Sequence, residues 1–184
     1  ALWGGIAALG QRDFGRLLGY AAVHDYGALL LGLSMQGPLG VSTTLTMMLA
    51  RSLSLILGAS ALSALRARLG SSSFAQVRGA VTRLPWATAG LMVAGLGLVG
   101  WPLTASFGAR WGLLRLLVEG QQMMVAGLFA LSAAGVVLGY VRGAAALMGR
   151  IPRAQAEVNP VEREPARAVA WMVVLIVIVV VVAL

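Results

Sequence analysis

The sequence contains no cysteine, no lysine and a single histidine, and it has few charged residues of either sign. Without cysteine, disulfides and thiolate metal sites are excluded, and one histidine is too few for the usual zinc site. Charged residues make up 11% of the chain, whereas soluble domains carry about 25%, so an ordinary soluble domain is excluded as well. No glycine-rich phosphate loop is present. We therefore predict neither a metal nor a cofactor.

What the chain has in abundance is apolar sequence. Hydrophobic residues make up 59% of it and the mean hydropathy is +0.88. Several apolar stretches reach the length of about 20 residues that a helix needs to cross a bilayer. Helices are expected because lipid cannot satisfy exposed backbone N–H and C=O groups. The predicted fold class is all-α, a polytopic transmembrane helix bundle.

The net charge of +8 would suggest nucleic acid as a partner of a soluble protein. Here all fourteen basic residues are arginines, and most of them gather between hydrophobic segments. The positive-inside rule places such residues on the cytoplasmic side of a membrane. We therefore predict the lipid bilayer, and not nucleic acid, as the surroundings of this chain.

Breaks in the apolar pattern divide the chain into spans. Gly37-Pro38 ends the second span, because glycine and proline punctuate helices. Trp101-Pro102 interrupts a later one, and Glu119-Gly120 breaks the chain again. The predicted apolar segments are residues 1–10, 14–35, 41–65, 84–100, 107–118, 123–140 and 168–184.

Charge placement predicts that 84–100 and 107–118 form one discontinuous span. If they were two complete spans, the arginines from Arg142 to Arg167 would fall on the outer side, whereas a single broken span returns them to the inner side. The break at Gly100 and Pro102 has a cause, because proline has no N–H to donate and clashes with the preceding turn. Irregular backbone at membrane depth survives only where protein or a water-filled cavity covers it. A functional break and a structural kink both remain possible interpretations.

Four charged or titratable side chains are predicted inside the bilayer. Arg51 lies near the middle of its span, too deep to reach either surface easily. Because a charge there costs about 2.5–3.5 kcal/mol, it should face the bundle and a partner. Arg110 follows the break and faces either a cavity or the interface. His24 and Asp25 lie in the middle of the second span, and they form either a proton relay or a structural hydrogen-bonded pair.

Three stretches together resemble the antiporter-like membrane subunits of respiratory complex I, the Mrp-type antiporters and the membrane-bound hydrogenases. Residues 11–20 resemble the family segment Q-x-D-(L/I)-K-R-L-L-A-Y, and residues 46–55 resemble T-H-A-F-F-K-A-L-L-F. Residues 100–110 resemble G-(L/I)-P-x-x-(A/G)-x-F-x-(G/S)-(K/E), and residues 139–142 resemble its Y-x-x-R end. The resemblance implies that residues 1–184 are a single transmembrane domain, the C-terminal part of a longer subunit of about fourteen helices.

In that family, buried lysines, histidines and a glutamate carry protons. The resemblance places Arg51 at the central lysine position and Arg110 at the Lys/Glu position near the exit. It places Met47 at the family histidine and Gly15 at the first lysine of K-R. Arginine stays protonated in proteins, so these two arginines are poor proton carriers, although they can set the local potential or hold a carboxylate.

These observations lead to three hypotheses. In the first, the chain is a membrane-arm subunit that takes part in proton or sodium translocation through Arg51, Arg110, His24 and Asp25. It would lie in a bacterial or archaeal cytoplasmic membrane, as one subunit of an NADH-quinone oxidoreductase-like complex, without a redox centre of its own. In the second, it is a non-pumping structural subunit of such an assembly. The third is an unrelated secondary transporter. The first two require other membrane subunits as partners.

Overall fold

The computed structural model describes residues 1–35, 37–102, 104, 106–149 and 165–181. This part of the chain forms a bundle of eight helices. Arg150, Arg153 and Arg163, on which the prediction of topology partly rests, lie outside the described residues, as do Leu103 and Ala105 of the third motif. In chain order the helices are α1 (Leu2–Leu9), α2 (Phe14–Ser34), α3 (Pro38–Leu69), α4 (Ala80–Arg83), α5 (Pro85–Val99), α6 (Phe107–Glu119), α7 (Met123–Leu147) and α8 (Ala166–Val181).

The seven predicted segments match seven of these helices, with differences at their ends, whereas no segment was predicted for the short helix α4. Residues 182–184 of the last predicted segment lie outside the described residues. Helix α3 begins at Pro38, which suits a first helical position because its missing N–H needs no partner there, and the helix continues to Leu69. Helix α7 continues past Tyr140 to Leu147. By length and composition, α3 and α7 are each able to cross a membrane, and α5 and α8 are shorter apolar helices.

The bundle has an apolar outside and polar groups inside. Large apolar side chains are exposed on its surface, including Leu30, Leu49 and Trp171. His24 and Arg110, in contrast, are almost fully buried. A soluble protein has the opposite arrangement, because water favours polar surfaces. The structure therefore confirms an all-α membrane helix bundle.

The end of the bundle where α2 begins and α3 ends carries several arginines, among them Arg16 and Arg66. We call it the basic end. Asp13 caps α2 by accepting a hydrogen bond from the amide of Arg16 at 3.0 Å. Its other oxygen accepts one from the hydroxyl of Ser72 at 2.6 Å, in the loop after α3. Arg66 in turn donates to the Ser72 hydroxyl oxygen at 3.1 Å. The start of α2 and the end of α3 are thus held together at this end.

Helix α7 also finishes at the basic end. Arg142 donates to the carbonyl of Leu9 at the end of α1, and Gly143 packs against Phe14 and Phe74. Helix α5 begins at the same end, after the loop that follows α3 and the short helix α4. Helices α5 and α6 must therefore cross the bundle once between them, so that α7 can return. The prediction of one discontinuous span is confirmed.

Helix lengths agree with this topology. At about 1.5 Å per residue, the 15 residues of α5 cover only about 22 Å, less than the hydrocarbon thickness of about 30 Å. Helix α6 has 13 residues and packs against α3 and α7. Neither helix alone is long enough to cross the hydrocarbon layer. Between them, Thr104 and Ser106 are buried.

Candidate functional site

Four side chains from three helices meet inside the bundle: His24 and Asp25 of α2, Arg51 of α3 and Arg110 of α6. We call them the charge cluster. Along α2 the buried apolar residues before the cluster, such as Ala21, belong to one hydrophobic core, and those after it, such as Ala28, belong to another. The cluster is therefore a polar layer between two apolar ones. The structure brings together all four residues that the sequence predicted.

Asp25 is at the centre of the cluster. Its Oδ1 accepts a hydrogen bond from Nη2 of Arg110. Its Oδ2 lies 3.3 Å from Nε of Arg51, an ion-pair distance that lacks hydrogen-bond geometry. The Asp25 side chain is 3% exposed. A carboxylate buried this deeply requires a countercharge, and here two guanidinium groups from different helices supply it.

Arg51 lies between Asp25 and an aromatic ring. Its guanidinium carbon is 3.3 Å from the ring centroid of Tyr26, which follows Asp25 in α2. A cation over an aromatic face is attracted by the negative charge of the ring face. The side chain of Arg51 is 11% exposed, so the carboxylate and the ring together shelter its charge. This agrees with the prediction that Arg51 faces the bundle and a partner.

Arg110 fills the helix break. The last carbonyls of a helix have no partner within it, and α5 ends at Val99. Arg110 donates to the freed carbonyl of Leu98. The hydroxyl of Ser106 donates to the carbonyl of Gly97, which also accepts from the amide of Gly100 at 3.2 Å. The negative end of the α5 dipole thus faces a cation. Of the two predicted positions for Arg110, the structure has the buried one.

Gly100 makes the position of Arg110 possible. It adopts the left-handed conformation with φ 77°, which a side chain disfavours. A Cβ at this position would also overlap the Cδ of Arg110. Pro102 lies in the turn between α5 and α6, as the sequence predicted for a residue that interrupts a helix. The break therefore brings a basic side chain against the end of α5.

His24 bonds in two directions. Its Nδ1 lies 2.7 Å from Oγ of Ser132 on α7, and its Nε2 lies 3.4 Å from Nη1 of Arg110. Its ring stacks on Phe129, with the centroids 5.4 Å apart and the planes at 12°. Sequence reasoning missed Ser132, because a serine within an apolar helix carries no distinctive signal. Only its position on the face of α7 that meets α2 marks it.

A cavity of about 460 Å³ adjoins the break. Its walls come from the end of α5, from α6 and from α7, and they are mainly apolar and aromatic. Arg110 is the charged side chain among its described lining residues. The others include Gly100, Trp101, Phe107, Trp111 and Phe129. The cavity thus brings open space to within contact of the charge cluster.

Two positions that the resemblance links to proton carriers have no titratable group. Met47 is 1% exposed and packs in the apolar core with Leu113. At Gly15, the guanidinium of Arg66 occupies the space that a Cβ would take. Glu119, the last residue of α6, is exposed and pairs with Arg115 at 2.7 Å.

The chemistry of the cluster follows from its groups. Two guanidinium groups and one carboxylate give it a net charge of +1 when His24 is neutral. Arginine keeps its proton in proteins, so only Asp25 and His24 can exchange one. The arginines therefore act as fixed charges around two groups that can titrate.

Comparison with known proteins finds relatives that are described as NADH-quinone oxidoreductase or Mrp antiporter proteins. The family described as NADH:quinone oxidoreductase/Mrp antiporter, TM matches residues 1–136. NADH-quinone oxidoreductase subunit N of Ectopseudomonas mendocina is 34% identical over 155 residues, which are 82% of this chain and 31% of that protein. The subunit N of Chromohalobacter salexigens is 34% identical over 140 residues, which are 73% of this chain and 29% of that protein. The chain thus spans about a third of the length of these curated relatives.

Solved structures share the fold. A chain of an archaeal membrane-bound sulfane sulfur reductase superposes with a TM-score of 0.85 at 20% identity, covering 99% of this chain and 36% of that one. A chain of the Mrp complex from Dietzia sp. DQ12-45-1b gives 0.78 at 17% identity, covering 96% and 41%. A chain of respiratory complex I from Thermus thermophilus gives 0.80 at 21% identity, covering 99% and 38%.

Proposed function

The chain belongs to the NADH:quinone oxidoreductase/Mrp antiporter family of membrane proteins, and we propose that it is a membrane-arm subunit that takes part in proton or sodium translocation. It would work in a bacterial or archaeal cytoplasmic membrane beside other membrane subunits. Membership of this family removes the support for the third hypothesis, an unrelated secondary transporter. The electron-transfer chemistry of such an assembly would lie in its other subunits.

One observation carries the proposal: Asp25 is held between Arg51 and Arg110 next to a helix break and its cavity. Ionised groups are costly inside the bilayer, and an ionisable residue within a transmembrane segment marks a substrate or ion pathway by default. In our proposal Asp25 and His24 exchange protons with water, and the two arginines set the potential that the moving ion meets. Interrupted helices serve this purpose in transporters, because helix ends offer free backbone groups to ions.

The test is ion flux through the purified complex in liposomes, expressed per assembled complex. We expect Asp25→Asn to lower the flux, because the amide cannot carry the charge or take up a proton. Asp25→Glu, which keeps the carboxylate, should retain part of it. Glu119→Gln is the matched control, since this exposed carboxylate lies outside the cluster and should leave the flux unchanged. Unchanged flux in assembled Asp25→Asn complexes would reject the proposal.

A non-pumping structural subunit is the second candidate, and specific residues favour it. Arginine occupies both positions where the family resemblance expects groups that release a proton, and Met47 is apolar. In this candidate the charge cluster only joins α2, α3 and α6. Arg51→Met would then lower the yield of assembled complex and leave the flux per complex intact. The translocation proposal expects flux per complex to fall in the same variant.

A further inference from the structure

A chain of hydrogen bonds leads from Arg110 through His24 and Ser132 to Ala1, the residue that precedes α1. Nη1 of Arg110 lies 3.4 Å from Nε2 of His24, and Nδ1 of His24 lies 2.7 Å from Oγ of Ser132. The Ser132 hydroxyl donates to the carbonyl oxygen of Ala1 at 2.7 Å. His24 is 0% exposed and Ser132 is 1% exposed. Neither side chain is therefore in contact with bulk water.

The direction of every bond in this chain is fixed by chemistry. A carbonyl oxygen can only accept, so the single proton of the Ser132 hydroxyl points to Ala1. Oγ of Ser132 must then accept from His24, which puts a proton on Nδ1. At the other end, a guanidinium can only donate, so Nε2 of His24 must present its lone pair to Arg110. The two ends favour the same tautomer, and the 2.7 Å bond to Ser132 holds it more strongly than the longer 3.4 Å contact with Arg110.

We infer that Ser132 is a positioning residue that holds His24 as the neutral Nδ1–H tautomer, with its Nε2 lone pair facing Arg110. An imidazolium does not fit this arrangement, because a proton on Nε2 would point at a guanidinium N–H. His24 can accept a proton only after Arg110 withdraws Nη1 from Nε2. Arg110 is thereby a gate on His24, and its anchors at Asp25 and the carbonyl of Leu98 hold that gate closed.

The packing around Ser132 supports this role. A Cβ on Gly5 of α1 would overlap the hydroxyl and the carbonyl of Ser132, so glycine allows α1 and α7 to approach closely here. The same close approach brings the carbonyl of Ala1 within reach of the hydroxyl. Phe129 stacks on the imidazole one turn before Ser132 and fixes the plane of the ring. Small residues commonly allow such contacts between membrane helices.

The importance of the gate for ion translocation rests on the proposed function. The tautomer of His24 is inferred from hydrogen-bond geometry and does not depend on that function. The test therefore reads the tautomer directly. The full-length subunit, labelled with ¹⁵N and ¹³C in its histidine rings and reconstituted in lipid, would be studied by solid-state NMR. The variant His24→Gln identifies the His24 signals by difference. We expect a protonated Nδ1 and an unprotonated Nε2 at neutral pH.

Two variants of Ser132 separate positioning from packing. Ser132→Ala removes the acceptor, and we expect the Nδ1–H signal to be lost or to share its intensity with the Nε2–H tautomer. Ser132→Thr keeps the hydroxyl and should keep the Nδ1–H signal. An Nε2–H or imidazolium signal in the wild type would overturn the inference, and so would a tautomer unchanged in Ser132→Ala. If Ser132→Ala does not fold, the spectra of the wild type and of Ser132→Thr still test whether His24 carries its proton on Nδ1. Flux is not measured, so failure here is distinct from failure of the proposed function.

Discussion

Asp25 binds Arg110 through one carboxylate oxygen and faces Nε of Arg51 with the other, at 3.3 Å. A single negative charge is thus the countercharge of two positive charges that come from different helices. Removing one partner of a buried ion pair costs about 3–5 kcal/mol, because the remaining charge is left without compensation. The balance of charge, more than the number of hydrogen bonds, should therefore decide how substitutions in the cluster affect stability.

Asp25→Asn should destabilise the protein more than Arg110→Met. The first change leaves two cations without a countercharge, whereas the second leaves Arg51 and Asp25 as a neutral pair. We expect a cost of about 3–5 kcal/mol for Asp25→Asn and a smaller one for Arg110→Met. Thermal unfolding midpoints of the two purified variants in detergent show which one is less stable. The reverse order would mean that the bonds of Arg110 to His24 and Leu98 outweigh the balance of charge.

The helices and the need for a countercharge could be predicted from the sequence, but the identity of each partner could not. Apolar runs and Gly-Pro punctuation mark helix ends locally, and a guanidinium in mid-span requires compensation wherever it lies. Which carboxylate meets Arg51, however, depends on how α2 and α3 rotate against each other. Arg110 could face a cavity or the interface until the topology of the break was known. Ser132 was missed because its role depends on a contact 108 residues away in sequence.

Tyr140→Phe should raise stability. The ring of Tyr140 is 2% exposed and lies where a Cβ on Gly95 would be, so this part of α5 and α7 is tightly packed. Its hydroxyl has no hydrogen-bond partner within the described part of the chain. A buried polar atom without a partner costs about 1–3 kcal/mol, and phenylalanine removes that atom while keeping the ring. Thermal unfolding against Tyr20→Phe, a half-buried control, gives the comparison. A lower midpoint for Tyr140→Phe would show that the hydroxyl binds something in the membrane.

Asp13 should make the basic end sensitive to acid. Partial burial raises the pKa of Asp13, but the hydrogen bond from Ser72, the amides of Arg16 and Gly15 and the charge of Arg66 together hold that pKa below its ordinary value. A depressed pKa in the folded state stabilises the protein above the unfolded pKa of about 3.9. This contribution is lost as the pH falls through the folded pKa.

Asp13→Asn isolates that contribution, because asparagine keeps a side-chain oxygen that can cap α2. The wild type should be more stable than Asp13→Asn at pH 6, and the difference should shrink as the pH falls below about 4. Unfolding midpoints of both proteins in detergent between pH 6 and 3 measure it. A difference that stays constant to pH 3 would contradict the role of the Asp13 charge.

Gly100→Ala should disturb the charge cluster as well as the backbone. Gly100 has φ 77°, and an L-residue in the left-handed region costs about 1–2 kcal/mol. A Cβ would in addition overlap Cδ of Arg110, so the guanidinium must shift away from Asp25. We therefore expect Gly100→Ala to lower both the unfolding midpoint and the ion flux per assembled complex.

Gly70→Ala is the matched control, since it separates the two effects. Gly70 ends α3 with φ 71°, in the left-handed region like Gly100, but a Cβ there meets no atom within 4 Å among the described residues. It should cost the same backbone strain of about 1–2 kcal/mol and leave the flux unchanged. Equal flux in the two variants would mean that Arg110 keeps its place beside Asp25 despite the added methyl group. Loss of flux only in Gly100→Ala, with similar unfolding midpoints, would instead connect the position of Arg110 to translocation, because the backbone strain is common to both.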